Sequence, residues 1–421
     1  MSDTPSLPGP FDSREQLILE QLSMIRDELT LLKQDKSTYV KSSDVMPLYD
    51  RVVEQVEKLH EVRAGRPPEE NRVDRVLDSC FQLLSLFFMT IGKNNEAPAV
   101  YALTSTIKRL LDHLTESNLY SAKDLEHISH TLDKLKKIVK TATSETTYSE
   151  TLTTLLSNRL ALCQASIENL QDKLAQLGQD LAPLPNEVQK LQDQLKEIDA
   201  TRVDGKFLTP SGEVAQGSDH FAEILGRCLL WSEVVLSRKG EIPEPFSGVY
   251  KTLVEIRNQL EKLSLTQAWS LRETDLYDYQ RQLDRIDESR VDGNFKDADG
   301  NFAELYVQRT LLYLIRRSYA YIYYLMVSSE PVSEALLPIY NQLQTLKRCL
   351  LEVKNSGGVS SGRELYPYSM KLNSLDNMRV DGKFMVGNDI PDGQGSVNEL
   401  LAECFELSYE LRIAVDSDAD E

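Results

Sequence analysis

Apolar residues return every three or four positions along most of the chain, the period of helices buried on one face. Ile18, Leu22, Ile25, Leu29 and Leu32 keep a 4-3-4-3 spacing over two heptads, which predicts a helix packed along a partner helix. Ser13, with Gln16 three residues on, reads as its capping box. The tail before it, residues 1–12, holds Pro5, Pro8 and Pro10 and has the composition of a disordered segment. Residues 44–62 predict a second helix, stopped by Gly65, Pro67 and Pro68. Residues 72–91 are apolar on nearly every side after Cys80, so that helix should be central. Further helices are expected over 98–114 and 124–139. Lys134, Lys136, Lys137 and Lys140 favour the dipole at the end of the latter, and we read them as a solvated face rather than a basic patch for a partner, given the overall charge.

Residues 147–181 carry the strictest periodicity. Leu156, Cys163, Leu170 and Leu177 fill one core position, and Leu160, Ile167, Leu174 and Leu181 the other. A seven-residue repeat of this kind predicts a long helix in left-handed packing. Pro183 and Pro185 interrupt it, since proline removes a helical donor and clashes with the preceding turn. The same phase resumes in Leu184, Val188, Leu191, Leu195 and Ile198, so a second helix should fold back. Helices over 218–237, 246–265, 271–287, 338–353 and 397–415 follow. The helix bearing Tyr306, Tyr313, Tyr319, Tyr321, Tyr323 and Tyr324 spreads its rings all round, which predicts full burial with hydroxyls reaching polar partners or the rim; a nucleic-acid stacking surface is the alternative, and the surrounding charge disfavours it.

One pattern has a much longer period. Arg202-Val203-Asp204-Gly205-Lys206-Phe207 returns as Arg290-Val291-Asp292-Gly293-Asn294-Phe295 and as Arg379-Val380-Asp381-Gly382-Lys383-Phe384, at spacings of 88 and 89 residues. Asp199, Asp287 and Asp376 each stand three residues before the Arg. An apolar pair precedes each copy, and a variable loop with a helix follows. Recurrence at fixed spacing marks an internal repeat. Arg72-Val73-Asp74 looks like a worn fourth copy, without the Gly or the loop. Asp-Gly is a tight-turn pair, so short β-hairpin excursions are expected at 207–214 and 295–302, with a longer loop over 385–395.

The motif has two readings. In the first it is a staple: Arg pairs with the Asp before it or the Asp after it, Gly makes the turn, and Phe plugs the groove between units. In the second, the Arg and Asp side chains line an edge that binds a peptide or small anion. We favour the staple, because copies that carry packing need not diverge.

Charge narrows the functions. A formal net charge of −19 lacks the basic footprint that nucleic acid requires, and disfavours anionic membranes equally. No apolar run approaches the length of a membrane-spanning helix, and no secretory leader is visible. The five cysteines, Cys80, Cys163, Cys228, Cys349 and Cys404, lie scattered in helical patterns and read as reduced core residues of a cytoplasmic or nuclear protein. Ser417 lies in an acidic context that a kinase could use.

Recognisable chemistry is missing. Asp297-Ala298-Asp299-Gly300 suggests a calcium loop, but alignment on Gly300 puts Phe295 and Tyr306 where carboxylates belong, so we read a turn. His113, His127 and His130 lack a second liganding pair for structural zinc. There is no phosphate-binding glycine loop, dinucleotide fingerprint, nucleophile elbow or zincin motif. No cofactor, metal or catalytic residue is assigned.

The threefold Arg-Val-Asp-Gly-Lys/Asn-Phe motif in a long acidic helical chain resembles an uncharacterised fungal protein family, catalogued as a domain of unknown function. The likeness spans nearly the whole chain. It implies a protein of the cytoplasm, with the nucleus as the alternative, and brings no catalytic residues with it.

The expected architecture is therefore all-α, a multi-helix bundle or array with repeats of about 88 residues and hairpin loops. Its parts are the tail at 1–12, a helical region at 13–200, repeats at 201–289, 290–378 and 379–415, and an acidic tail at 416–421. The expected function is a non-enzymatic scaffold or adaptor for protein partners. The alternative is an enzyme or small-ligand protein with a site between repeats, which carboxylates gathered with His or Tyr in a deep pocket would favour. Self-association through the seams at 18–32 and 156–181 is a third possibility.

Overall fold

The computed structural model describes residues 8–10, 12–64, 70–117, 120–175, 195–203, 205–209, 212–215, 217–238 and 242–418. Among them the protein is all-α, an array of helices with one two-stranded antiparallel ribbon. The first half contains α1 (Ser13–Gln34), α2 (Ser42–Arg63), α3 (Arg72–Thr90), α4 (Val100–Ser117), α5 (Ala122–Ser144) and α6 (Glu150–Ala175). Then come α7 (Ser218–Arg238), α8 (Glu244–Ser270), α9 (Leu276–Glu288), α10 (Leu305–Val327), α11 (Leu337–Asn355) and α12 (Tyr366–Asp376). The ribbon β1 (Arg379–Val380) and β2 (Lys383–Phe384) leads into α13 (Gln394–Asp418).

α1 forms where its apolar period predicts. Ile18, Leu22, Ile25 and Leu29 are buried against α2 and α3. The cap is Asp12 rather than Ser13: its carboxylate accepts from the Arg14 amide at 2.8 Å and also holds the Arg14 guanidinium, which a serine hydroxyl could not. Asp44 closes the start of α2 by accepting from the Lys41 amide. Asn71 and Asp74 form a reciprocal box at the start of α3. Every α3 residue from Ser79 to Thr90 is buried. Ahead of these helices, Pro8 accepts from the Arg72 amide at 3.1 Å, while residues 1–7 lie outside the described residues.

In α6 the heptad positions Leu156, Leu160, Cys163, Ile167 and Leu170 are buried, and the helix packs on α5 and α4. The described heptad positions of α1 and α6 thus face helices of the same chain. The continuation through Leu177, Leu181, Pro183 and Pro185 lies outside the described residues.

The tyrosine helix α10 departs from its expected burial. Tyr306, Tyr319 and Tyr323 are inside, but Tyr313 and Tyr324 are 53% and 52% exposed. α10 packs on α8 and α4, with lesser contacts to α9 and α7, and Tyr313 and Tyr324 lie on the side these helices leave open. The buried hydroxyls do find polar partners: Tyr319 donates to Asp284 Oδ1 at 2.6 Å, and Tyr323 meets Thr131 Oγ1 at 2.7 Å.

The buried apolar side chains form two main clusters. One runs from Ile18 to Met326 and joins α1–α6 with α8–α10. The other runs from Val332 to Leu411 and is built by α11, α12, Phe384 and α13. The turn around Val332 connects them. A Cβ on Gly92 would lie 2.5 Å from the Ser333 nitrogen, and one on Gly393 2.7 Å from the Val332 Cα. Both glycines also have positive φ, 87° and 96°, so the close approach needs them. Arg272 and Glu334 fasten the same junction at 2.7 Å, with side chains 13% and 12% exposed.

Candidate functional site

The three Arg-Val-Asp-Gly stretches all fold as tight hairpins. Val203 bridges Lys206, Val291 bridges Asn294, and Val380 pairs with Lys383 in the ribbon. Asp292 and Asp381 each have φ of 50°, and Gly293 and Gly382 have φ of 76° and 77°. Two successive left-handed residues make the turn whose twist matches an antiparallel hairpin, which is why Asp-Gly stands there. Gly205 has φ of 80°, while Asp204 lies outside the described residues. The next hairpin out also forms, with Leu208 bridged to Val214 and Lys296 to Phe302.

Each Arg pairs with the Asp three residues before it, at the end of the preceding helical segment; Arg290 and Arg379 do so in place of the Asp of their own turn. Arg202 pairs with Asp199, Arg290 with Asp287 and Arg379 with Asp376. The middle pair is the most enclosed, with side chains 8% and 7% exposed. There the guanidinium also donates to Gly293 O at 2.7 Å and to Glu116 Oε1 of α4 at 2.6 Å. Asp287 receives a hydrogen bond from His113 Nε2 at 3.1 Å, and Arg109 lies 3.6 Å away. Burial opposes ionisation of Asp287, yet the His113 hydrogen bond and the charges of His113, Arg290 and Arg109 hold its pKa down at about 2.

Arg202 and Arg379 are looser, with side chains 25% and 30% exposed. Arg379 also reaches Asn398 Oδ1 at 3.4 Å, and Asn398 donates back to Gly382 O at 3.3 Å. Phe295 and Phe384 are buried, at 4% and 1% exposure. Phe207 is half-buried and meets Phe221 edge-on at 4.7 Å. The motif valines point the other way: Val203, Val291 and Val380 are 52%, 43% and 56% exposed.

A further contact recurs that sequence reasoning missed. The Phe amide donates to a side chain near the start of the following helix: Ser218 Oγ at 2.8 Å, Gln308 Oε1 at 2.7 Å and Gln394 Oε1 at 2.9 Å. Both glutamines also return a bond from Nε2 to the Phe carbonyl. The intervening loops differ in length, so no fixed spacing marks these residues. Arg72-Val73-Asp74 behaves differently. It forms the first turn of α3, with Val73 fully buried and Asp74 paired to Arg63.

The candidate metal loops resolve into ordinary turns and pairs. Asp297 accepts from the amides of Asp299 and Asn301 at 3.0 and 2.8 Å, a side-chain-closed turn. His113 engages Asp287 while His127 engages the Tyr323 hydroxyl at 2.9 Å, so they serve different contacts. Among the described residues no three His, Cys, Asp or Glu side chains gather as a metal site. Burial pushes the Cys80 thiol up to about 12 and those of Cys163 and Cys404 to about 11, so none is a ready thiolate at neutral pH. No helix among the described residues is long and apolar enough to cross a membrane.

These features define an all-α protein with three Asp–Arg-clasped hairpins, Phe turned inward and Val outward where the burial is described. A family model described as "Protein of unknown function (DUF2408)" matches residues 93–273 and 330–421. The chain belongs to this family, and it has fungal relatives. It is 38% identical over 440 residues to a CUB1 family protein of Schizosaccharomyces pombe, covering 98% of this chain and 95% of the relative. It is 35% identical over 514 residues to the "Cu(2+) suppressing and bleomycin sensitive protein 1" of Saccharomyces cerevisiae, covering 98% of this chain and 92% of the relative. No solved structure matches it.

Proposed function

We propose that this protein is a non-enzymatic helical scaffold that presents its clasped hairpins to protein partners. The observation that carries this reading is the exposure of the same valine at all three motifs. A single exposed valine needs no explanation. Three, each raised on a turn whose arginine is tied down, are a presented feature. Neighbouring apolar side chains enlarge the tips: Val214 and Phe302 are 53% and 57% exposed, and Ile390 beyond the third motif is 47% exposed. The Asp–Arg pairs serve as staples that hold each hairpin against its helix, so the binding edge is apolar rather than charged.

The acidic surface suits a protein partner over nucleic acid. The cysteines are all free, which suits a reducing compartment, the cytoplasm first and the nucleus second. Copper and bleomycin appear only in the name of the Saccharomyces cerevisiae relative, and that name states no reaction.

Affinity capture with quantitative mass spectrometry tests the reading, using wild type and V203D/V291D/V380D. These side chains are exposed, so the variant should melt like wild type. The expected result is a set of proteins retained by wild type and lost from the variant. An identical set from both chains contradicts the proposal.

A further inference from the structure

A cleft of about 560 Å³ opens between α3, α4, α6 and α9, within the size range of small-molecule sites. It is rich in charge, but most of that charge is already matched. Arg75 pairs with Glu288, and Lys108 with Asp112 at 2.7 Å. Arg109 lies 3.4 Å from Asp284. Arg159 lies over the Tyr101 ring at 4.2 Å and donates to the Tyr101 and Ser105 hydroxyls at 3.0 and 2.5 Å.

Apart from the exposed carboxylate of Glu70, three lining groups keep unused capacity. Gln280 donates its Nε2 to Thr106 Oγ1 at 3.0 Å, and Gln82 donates its Nε2 to Asp78 Oδ2 at 2.9 Å. The amide oxygen of each has no partner, although Gln280 and Gln82 are only 4% and 7% exposed. Buried acceptors are nearly always satisfied, so two orphaned amide oxygens lining one cleft call for donors. Arg281, half-buried next to Gln280, acts through its charge on Asp284 and Tyr277 but makes no ion pair within 4.0 Å among the described residues. Its guanidinium calls for an anion.

The enclosed leftover chemistry is therefore two acceptors and one cation, with the exposed Glu70 carboxylate beside them, and the complement is a molecule with N–H donors at one end and a carboxylate at the other. We propose that this cleft binds a small zwitterion of the amino-acid class, its ammonium donating to the Gln82 and Gln280 carbonyl oxygens and its carboxylate pairing with Arg281. A dianion leaves the amide oxygens unmet, and a diamine leaves Arg281 unmet. Asp284 and Tyr319 also line the cleft, bonded to each other at 2.6 Å, with Asp284 one helical turn from Gln280.

Isothermal titration of the full chain against each of the twenty free L-amino acids tests this, with succinate and putrescine as controls of single charge type. At least one amino acid is expected to bind with Kd below ~1 mM, and neither control to match it. R281A and Q280L should each weaken that Kd about tenfold, the scale of one charge-assisted or buried hydrogen bond. Should Q280L melt low, R281A still decides, because its guanidinium is in no ion pair to lose. V203D/V291D/V380D should bind the amino acid like wild type, so the hairpin and cleft readings fail separately. No amino-acid binding, equal binding of either control, or binding unchanged in R281A overturns the proposal.

Discussion

Replacing Arg290 with alanine tests how the middle clasp is held. The guanidinium meets Asp287 at 2.6 Å with both side chains more than nine-tenths buried. Removing one partner of a buried ion pair costs about 3–5 kcal/mol, because the other charge is stranded. Here Asp287 keeps His113 at 3.1 Å and Arg109 at 3.6 Å, so the stranding is partial and about 2–3 kcal/mol is expected. Glu116 is 34% exposed and rehydrates when Arg290 is lost. R202A and R379A break pairs whose arginines are 25% and 30% exposed, and should each cost about 0–1 kcal/mol. Urea unfolding followed by circular dichroism measures all three. An R290A cost no larger than that of R379A would refute the argument, because burial would then not set the strength of the clasp.

Acid should expose the same group. Asp287 has a folded pKa of about 2 against an ordinary 3.8, a depressed value. Its contribution is complete above pH ~4, is lost as pH falls towards 2, and amounts to ~2 kcal/mol. D287N removes that limb, so the difference between wild type and D287N should shrink on acidification, as read by urea midpoints across this window. Y319F leaves the buried Asp284 without its 2.6 Å donor and should cost about 1–3 kcal/mol by the same denaturation assay. G92A places a methyl 2.5 Å from the Ser333 backbone at a φ of 87° and should cost at least ~2 kcal/mol, with melting as the readout.

Local periodicity made the helices legible. The 4-3-4-3 spacing in α1 and the heptads of α6 point inward because helical geometry alone places those side chains on one face. The Asp-Gly pairs foretold hairpins for an equally local reason, since the left-handed turn needs residues that tolerate positive φ. Tertiary contacts were not legible. Glu116 and His113 stand 174 residues from Arg290 and Asp287, and nothing near them in the chain marks the encounter. Gln308 and Gln394 lock the Phe backbone from different distances along the chain, so comparison of the copies could not align them. Tyr313 and Tyr324 show the limit of reading burial from composition, since an aromatic helix keeps one face open where no neighbour covers it. The cleft residues Gln82, Gln280 and Arg281 carry no motif; only the folded arrangement of α3 and α9 shows what they leave unpaired.

The thermal melt of R202A/R290A/R379A, set beside its partner capture, bears most directly on the clasp. The account predicts a midpoint clearly below wild type, with most of the loss traceable to Arg290. An unchanged midpoint together with lost partner capture would contradict it, because the arginines would then be the binding edge and not the staples beneath it.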